Sequence, residues 1–246
     1  MTLRWLSLLV LVGCVSKDRA GRSQARTELG RAMLIERNAP QAITTLEEAT
    51  RLDPSNWDAW NKLGLAYHAQ GADDLADKAF RRGVRANPRE AEIRNNYGYF
   101  LMMTGRAEEA VPHFEVALKD LDHRRPAVVL SNLGQALVEI GRAEEGIQRL
   151  NEAVTRAPNL CPARFARGLA YERNGQAARA VEDFETVIRL CGAEATGAYF
   201  NAGRLLLDLD DTPAACAYLR TAATGDRESS PLIADAARLF AERCRT

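Results

Sequence analysis

A glycine recurs at an almost constant interval along this chain of 246 residues. The series is Gly30, Gly64, Gly98, Gly134, Gly168 and Gly203. The intervals are 34, 34, 36, 34 and 35 residues, and each glycine lies in a stretch with helical periodicity. A period of this length is typical of an array in which one supersecondary unit is repeated and each unit packs on its neighbours. The sequence therefore predicts six copies of one unit.

Two further positions recur with the same period as the glycine. Twelve residues after it stands a small residue, and these are Ala42, Ala76, Ala110, Gly146, Ala180 and Ala215. Sixteen residues after it stands a large apolar one, and these are Leu46, Phe80, Phe114, Leu150, Phe184 and Leu219. Small residues let paired helices approach, and apolar residues at helical spacing form a buried stripe. Each unit is therefore predicted to be a pair of helices.

This pattern resembles the tetratricopeptide repeat, a helix–turn–helix unit, over about residues 23–229. The second unit is the fullest match, with Trp60, Leu63, Tyr67 and Pro88 at motif positions. The resemblance implies an all-α, right-handed superhelical solenoid of six repeats. Residues 230–246 read as a C-terminal capping helix, with Ser230 as its N-cap. Glycines with positive φ are expected in four turns, at Gly71, Gly105, Gly141 and Gly175.

The first fourteen residues have the composition of a secretory signal. Arg4 precedes an apolar run that is too short to span a bilayer, and Cys14 follows. Leu11-Val12-Gly13-Cys14 resembles the lipobox of bacterial lipoproteins, which implies lipidation of Cys14 with palmitate and other acyl chains. We therefore expect a signal peptide at 1–13 and a lipidated tether at 14–22. Val15, where inner-membrane lipoproteins carry Asp, favours the periplasmic face of the outer membrane; the alternative is an N-terminal helix packed on the domain.

The other four cysteines lie in the C-terminal part of the chain, and an even number in an exported protein indicates disulfides. Cys161 begins the first helix of the fifth unit and Cys191 follows its second helix, so antiparallel packing brings them together. Cys216 and Cys244 lie on the last second helix and on the antiparallel capping helix. We predict Cys161–Cys191 and Cys216–Cys244 bonds; the alternative is four reduced, buried cysteines.

Charge and motifs exclude several kinds of function. With 33 basic and 33 acidic residues, the sequence carries no basic excess for binding nucleic acid. Phosphate-binding, dinucleotide, thiol-redox and metal motifs do not occur. The pairs Glu108-Glu109 and Glu144-Glu145 read as solvated charges at helix N-termini. We therefore predict no catalytic residue, cofactor, metal or small-molecule substrate.

Function is instead expected on the concave surface that the first helices of a solenoid line. The predicted partner-binding groove consists of Asn61, Leu65, His68, Asn95, Tyr99, Met102, Met103, Ser131, Gln135 and Val138. It is extended by Phe165, Leu169, Phe200 and Leu207. Met102-Met103 beside Tyr99 suits adaptable binding of an apolar segment. The alternative for each residue is that it only fills space between helices.

A narrower resemblance appears in the third and fourth units. Arg94-Asn95-Asn96-Tyr97-Gly98 and, after a two-residue insertion around Leu121–Pro126, Ser131-Asn132-Leu133-Gly134 resemble the PilF/PilW family of pilus-biogenesis lipoproteins. Length and C-terminal cysteines are most similar to its Tgl-type members from gliding bacteria. The resemblance implies a pilotin, which binds secretin subunits and promotes their assembly into the type IV pilus pore for motility. The alternative is another envelope scaffold, in outer-membrane protein insertion or wall synthesis.

Overall fold

The computed structural model describes residues 3–119, 126–192, 195–224 and 231–244, with side chains from residue 17 onward. Within these ranges the chain forms 13 α-helices and no strand, which confirms the all-α prediction. The helices are α1 Leu3–Ile35, α2 Ala39–Leu52, α3 Trp57–Ala69, α4 Asp73–Ala86, α5 Ala91–Met103, α6 Ala107–Ala117, α7 Pro126–Glu139, α8 Ala143–Arg156, α9 Cys161–Arg173, α10 Ala177–Cys191, α11 Thr196–Asp208, α12 Thr212–Ala223 and α13 Pro231–Arg243. Residues 121–125 of the predicted insertion, Ser230 and the Cys14 side chain lie outside what is described.

The chain divides into two compact units, residues 1–123 and 124–246. In the first unit α1 pairs with α2, α3 with α4 and α5 with α6, and successive pairs meet through α2 with α3 and α4 with α5. The second unit repeats this arrangement from α7 to α12 and adds α13 against α12. Each predicted repeat is therefore one helix pair, with its first helix before the turn and its second helix after it.

The periodic glycine marks the contact between the two helices of each repeat. A methyl group added at Gly64 would lie 2.8 Å from the Phe80 ring, and one at Gly134 would lie 2.6 Å from Leu150. The other four repeats make the same contact, and all six large apolar partners are fully buried. Nothing larger than hydrogen fits at that distance, so the glycine sets how closely the helices approach.

The turn between the helices of a repeat requires a left-handed residue. The four glycines predicted there have φ between 71° and 84°. In the first and last repeats the equivalent residues are Arg37 and Asp210, with φ of 58° and 62°. A non-glycine residue is strained in this conformation, less so Asp than Arg. The sequence pattern did not reveal these two because neither is a glycine.

Helix α1 starts the first repeat and extends well beyond it towards the N-terminus. It is continuous from Leu3 to Ile35, through the segment that we expected to be a tether. Side chains 17–22 are exposed, and Ser23 is the first fully buried one, where Asn56 donates to its hydroxyl at 2.9 Å. Among the residues described, no helix combines the length and apolar character needed to cross a bilayer.

The last repeats carry both disulfides. Cys161 is bonded to Cys191, with Cα atoms 6.8 Å apart, and Cys216 to Cys244, with Cα atoms 5.6 Å apart. These are the pairings predicted from the repeat register. The first bond joins the start of α9 to the end of α10, and the second joins α12 to the residue after α13, so the terminal helix is covalently held to its neighbour.

In the second and fifth repeats the residue before the periodic glycine lies beside the residue fifteen positions after that glycine, and the two pairs differ. In the second repeat it holds Leu63 and Ala79, both buried in one apolar cluster. In the fifth repeat it holds Arg167 and Asp183, joined by two hydrogen bonds of 2.7 and 2.6 Å. Asp183 is 4% exposed, and Arg167 also donates to Asn151. An ion pair thus replaces apolar contact at one point of the stack.

Replacing Asp183 by alanine should destabilise the C-terminal unit by about 3–5 kcal/mol, because a largely buried guanidinium loses its carboxylate. The double variant Arg167→Leu/Asp183→Ala reproduces the pair of the second repeat and should recover part of that loss, the remainder reflecting Arg164, which also lies 3.6 Å from the Asp183 carboxylate. Urea unfolding followed by circular dichroism measures both. A double variant no more stable than Asp183→Ala would show that the ion pair cannot be exchanged for apolar packing here.

Candidate functional site

In the N-terminal unit the first helices form one surface, since α3 contacts both α1 and α5. We call the exposed side of α1, α3 and α5 the first-helix face. The pattern of burial along α5 defines its apolar part. Tyr99 is 43% exposed and Met103 is 56% exposed, and they stand one helical turn apart. Half-buried Asn95 precedes them by another turn, so the three follow one line along the helix.

On α3 the half-buried side chains of Leu65 and His68 lie on the neighbouring part of this face. His68 Nδ1 is 2.7 Å from an Asp73 carboxylate oxygen, and its ring meets the buried Phe100 ring edge-on at 5.2 Å. These two contacts hold His68 between the start of α4 and the core beneath α5. The apolar part of the face is therefore supported from below by fixed side chains.

A chain of hydrogen bonds joins α3 to α5 beneath the face. Asn96 donates to the side-chain oxygen of Asn61 at 3.1 Å, and Asn61 donates to Glu92 at 3.2 Å. Lys62 also donates to Glu92, at 2.9 Å, and to Asp58, at 2.7 Å. Burial lowers the pKa of Lys62, but its bonds to the two carboxylates outweigh burial and leave the pKa raised. Lys62 is therefore a fixed positive charge.

The polar end of the first-helix face is a cavity of about 650 Å³ that sequence reasoning missed. Lys62 and Glu92 stand on one side of it, and Gln24, Glu28 and Arg31 of α1 on the other. Arg31 is held by Glu28 at 2.8 Å, so charges of both signs line the cavity. Predicting this cavity from the sequence would have required the register of α1 against α3, and the spacing of the glycines gives that register only approximately. The face thus offers a polar cavity and, further along α3 and α5, the Tyr99–Met103 stripe.

Several predicted groove residues are closed to a partner, and the prediction is corrected for them. Asn61 is fully buried, Ser131 is 3% exposed and Met102 is 8% exposed, so these three support the surface from within. Helical periodicity alone could not separate Met102 from Met103, because one step of about 100° lies between them. Gln135 stays half-buried, where it donates to the backbone of Ser131.

In the C-terminal unit the predicted extension of the groove consists mainly of packing residues. Val138 lies against Gly146 of its own repeat, so close that a methyl group added there would be 2.5 Å from it. Phe165 packs on the Phe184 ring at 5.5 Å, and Leu207 is 7% exposed. Leu169 and Phe200 are partly buried against the same core cluster. The exposed apolar residues of the predicted groove are therefore those of α5.

Each residue of the Asn95-Asn96-Tyr97-Gly98 segment has a distinct structural position. Asn95 lies on the surface line, Asn96 ties α5 to α3, and Gly98 receives the Phe114 ring of α6. Tyr97 is buried, donates to Asp77 of α4 at 2.9 Å and stacks on Phe80. The segment therefore fixes α5 to its three neighbours and so fixes the direction in which Tyr99 and Met103 point.

His113 completes the packing around Tyr97. Its ring meets the Tyr97 ring edge-on at 4.6 Å, and its Nδ1 is 3.2 Å from a guanidinium nitrogen of Arg94. Burial, then the charges of Arg94 and Arg81, lowers the pKa of His113 to about 4. The neutral ring is the form that accepts a hydrogen bond from Arg94, and a proton at Nδ1 would oppose that bond.

Stability should fall with acidification between about pH 6.5 and pH 4 because the unfolded chain binds a proton at His113 that the folded chain does not. The contribution is complete above about pH 6.5 and amounts to at most about 3 kcal/mol. His113→Gln keeps an acceptor for Arg94 and should flatten the pH dependence in that window. Urea midpoints from pH 4 to 7.5 measure this, and an unchanged slope in the variant would assign the dependence to other groups.

Two family models match the repeat region of the chain. The TPR repeat family model matches residues 38–71, and the tetratricopeptide repeat model matches residues 74–126, 131–195 and 165–231. The chain belongs to the tetratricopeptide repeat family. The all-α solenoid of such repeats is therefore its fold, and the family is one of scaffolds for protein–protein interaction.

In sequence, the chain is similar to the type IV pilus assembly protein PilF of Pseudomonas aeruginosa, with 34% identity over 120 residues. This match covers 45% of the chain and about half, 48%, of the length of PilF. In fold, the chain is similar to PilW, a widely conserved type IV pilus biogenesis factor, and to the solved structure of Pseudomonas aeruginosa PilF. The TM-scores are 0.80 and 0.77, at 23% and 22% identity. The alignments cover 87% and 92% of this chain and 97% and 99% of PilW and PilF. This repeat protein is thus related to the PilF and PilW type IV pilus biogenesis factors.

Proposed function

We propose that this protein is a pilotin, a lipid-anchored protein that binds secretin subunits and promotes their assembly into the outer-membrane pore of the type IV pilus. The observation that carries the proposal is the Tyr99–Met103 stripe on a chain related to PilF. Four C-terminal cysteines, all in disulfides, support the narrower proposal of a Tgl-type member. The protein has a binding role and no catalytic one.

The first-helix face suits a segment with an apolar and a polar part. The thioether of Met103 and the ring of Tyr99 adapt to differently shaped apolar side chains. The polar cavity is lined by Lys62, Arg31, Glu28 and Glu92, whose ion pairs leave little net charge, so uncharged polar groups of the same segment suit it. Burying an exposed apolar or edge segment of a secretin monomer would prevent it from pairing wrongly before the ring forms.

Location contributes to the proposed mechanism. Acyl chains on Cys14 would hold the protein at the periplasmic face of the outer membrane, because each buried methylene contributes about 0.8 kcal/mol. Subunits bound to anchored copies share a thin layer next to the membrane, which raises their effective concentration for one another. Assembly is then promoted through binding and confinement alone.

The stripe is tested by the double variant Tyr99→Asp/Met103→Asp. Both side chains are exposed, so the fold should persist, while two carboxylates would oppose burial of an apolar segment. We expect loss of heat-resistant secretin multimers and of pilus-dependent motility when the variant replaces the native chain, with secretin monomer still present. Immunoblots of unheated and heated membranes give the readout.

Leu190→Asp is the matched control, because Leu190 is 42% exposed on α10 of the other unit. It should leave multimers and motility intact. Normal multimers in the Tyr99/Met103 variant would remove the first-helix face from the proposal. Loss of other outer-membrane proteins or of wall integrity in a deletion strain, with secretin multimers unaffected, would favour the alternative envelope scaffold.

The anchor is tested separately, by Cys14→Ala. We expect this variant to lose incorporation of radiolabelled palmitate and to leave the outer-membrane fraction, since the acyl chains on Cys14 supply the affinity for that membrane. Cys216→Ser/Cys244→Ser is the control, in which labelling should persist. Palmitate labelling that survives Cys14→Ala would place the lipid elsewhere or remove it from the proposal.

A further inference from the structure

Two grooves lie between successive repeats of the N-terminal unit; they are lined mainly by second helices and share no lining residue with the polar cavity of the first-helix face. The first, of about 370 Å³, is lined by Arg51, Trp60, Leu63, Tyr67, Leu75, Lys78 and Arg82, with Glu47, Thr50 and Ala79. The second, of about 440 Å³, is lined by Arg81, Val84, Arg85, Arg94, Tyr97, Glu109, Pro112 and His113. Most lining residues of the second groove occupy the positions of the first groove shifted by one 34-residue repeat. We call these two grooves the first and second outer grooves.

Both outer grooves combine apolar walls with a cationic rim. In the first, Leu75 is 44% exposed, and the Arg82 guanidinium lies 5.3 Å from the centre of the half-buried Trp60 ring. Arg51 and Lys78 stand exposed at the rim. In the second, exposed Arg85 stands beside the half-buried Val84. Each groove could thus accept a large apolar side chain while cations surround its entrance.

The carboxylates at these grooves are already engaged by the protein itself. Glu47 accepts a hydrogen bond of 2.6 Å from Tyr67, and Glu109 forms two of 2.7 Å with Arg106. Asp77, between the grooves, accepts from Arg81, from Arg106 and from Tyr97, and these hydrogen bonds outweigh the opposing effect of burial, so that its pKa is lowered. Even with Asp77 offsetting Arg81, basic side chains outnumber carboxylates at each groove: Arg51, Lys78 and Arg82 against Glu47 in the first, and Arg85 and Arg94 against Glu109 in the second. The total formal charge of the chain is zero.

The repeat fold does not require these cations. At the position of Lys78 the other five repeats have Thr44, Pro112, Gln148, Glu182 and Ala217. At the position of Arg82 they have Glu48, Val116, Glu152, Thr186 and Thr221. Only the second repeat places a cation at both positions, and there they border the first outer groove. Their placement is therefore particular to this surface.

We propose that the two outer grooves form a second docking surface, for an extended acidic protein segment that inserts one large apolar side chain into each. Charge complementarity selects the acidic segment, because the first groove has three cations to one carboxylate, and the second has exposed Arg85 in addition to Arg81, which Asp77 already binds. Two concave sites in register with the repeat suit side chains at a fixed separation along one segment. This surface is independent of the Tyr99–Met103 stripe, so the protein can hold two partners at once.

The probe is a short fluorescein-labelled peptide that alternates aspartate with leucine and phenylalanine, compared with the same peptide carrying lysine for aspartate. Fluorescence anisotropy at low and high salt measures binding to the full chain, and amide chemical shifts locate it. We expect the acidic peptide to bind, more weakly at high salt, and the basic one not to bind. Shifts should centre on Leu75, Lys78 and Arg82.

Leu75→Asp and Lys78→Glu/Arg82→Glu should each weaken binding at least about tenfold, which corresponds to about 1.4 kcal/mol. Tyr99→Asp/Met103→Asp is the control and should bind as the wild type does, so failure of this surface is distinguished from failure of the pilotin proposal. Circular dichroism verifies that each variant is folded, and either groove variant suffices if the other unfolds.

Equal binding of both peptides, no binding, or shifts centred on Tyr99 would overturn the proposal. Binding of phosphatidylglycerol vesicles in place of the peptide would also overturn it and assign the cations to a lipid surface.

Discussion

A glycine of each first helix lies against the large apolar side chain sixteen residues later, and this contact determines how closely the two helices of a repeat approach. The partners, such as Phe80 and Leu150, are fully buried, and even one methyl group at the glycine would meet them at under 3 Å. Protein interiors are close-packed, so a larger residue at the glycine would force the partner side chain or the helix itself to shift. Tyr99 follows Gly98, so its direction depends on this contact together with the Asn96–Asn61 bond between α5 and α3.

The position next to this contact carries more variation than the contact itself. Leu63 with Ala79, Tyr97 with His113 and Arg167 with Asp183 occupy the same place in three repeats. All three solutions fill the space, but they respond differently to the surroundings. Apolar packing is indifferent to pH, the imidazole must stay neutral beside Arg94, and the ion pair depends on both partners being present. Repeats that share one fold can therefore differ in the conditions and substitutions that destabilise them.

The sequence predicted the helices, their pairing and the disulfide register, because each depends on a period that repeats six times. The sequence predicted which side of α5 belongs to the first-helix face, but not how deeply each side chain on that side is buried. Met102 and Met103 are adjacent and chemically equal, yet one is 8% exposed and the other 56%, which depends on how α5 rolls against α3 through Asn96 and Asn61. The polar cavity was missed because it depends on the packing of α1 against α3. The positive φ of Arg37 was not predicted because an arginine gives no indication of a left-handed backbone conformation.

The two surfaces of the N-terminal unit differ in how their charges are compensated, and this decides what each can bind. On the first-helix face Lys62 lies between Asp58 and Glu92, so a partner gains little from adding charge there and must contribute apolar contact at Tyr99 and Met103. On the outer side helix polarity explains some of the cations, since Arg51 and Arg85 lie in the last turns of α2 and α4, where positive charge is favourable. Lys78 and Arg82 lie outside the last turn and have no such reason. Under the two proposals, binding on the outer side should therefore be sensitive to salt, and binding on the first-helix face should be largely insensitive to it.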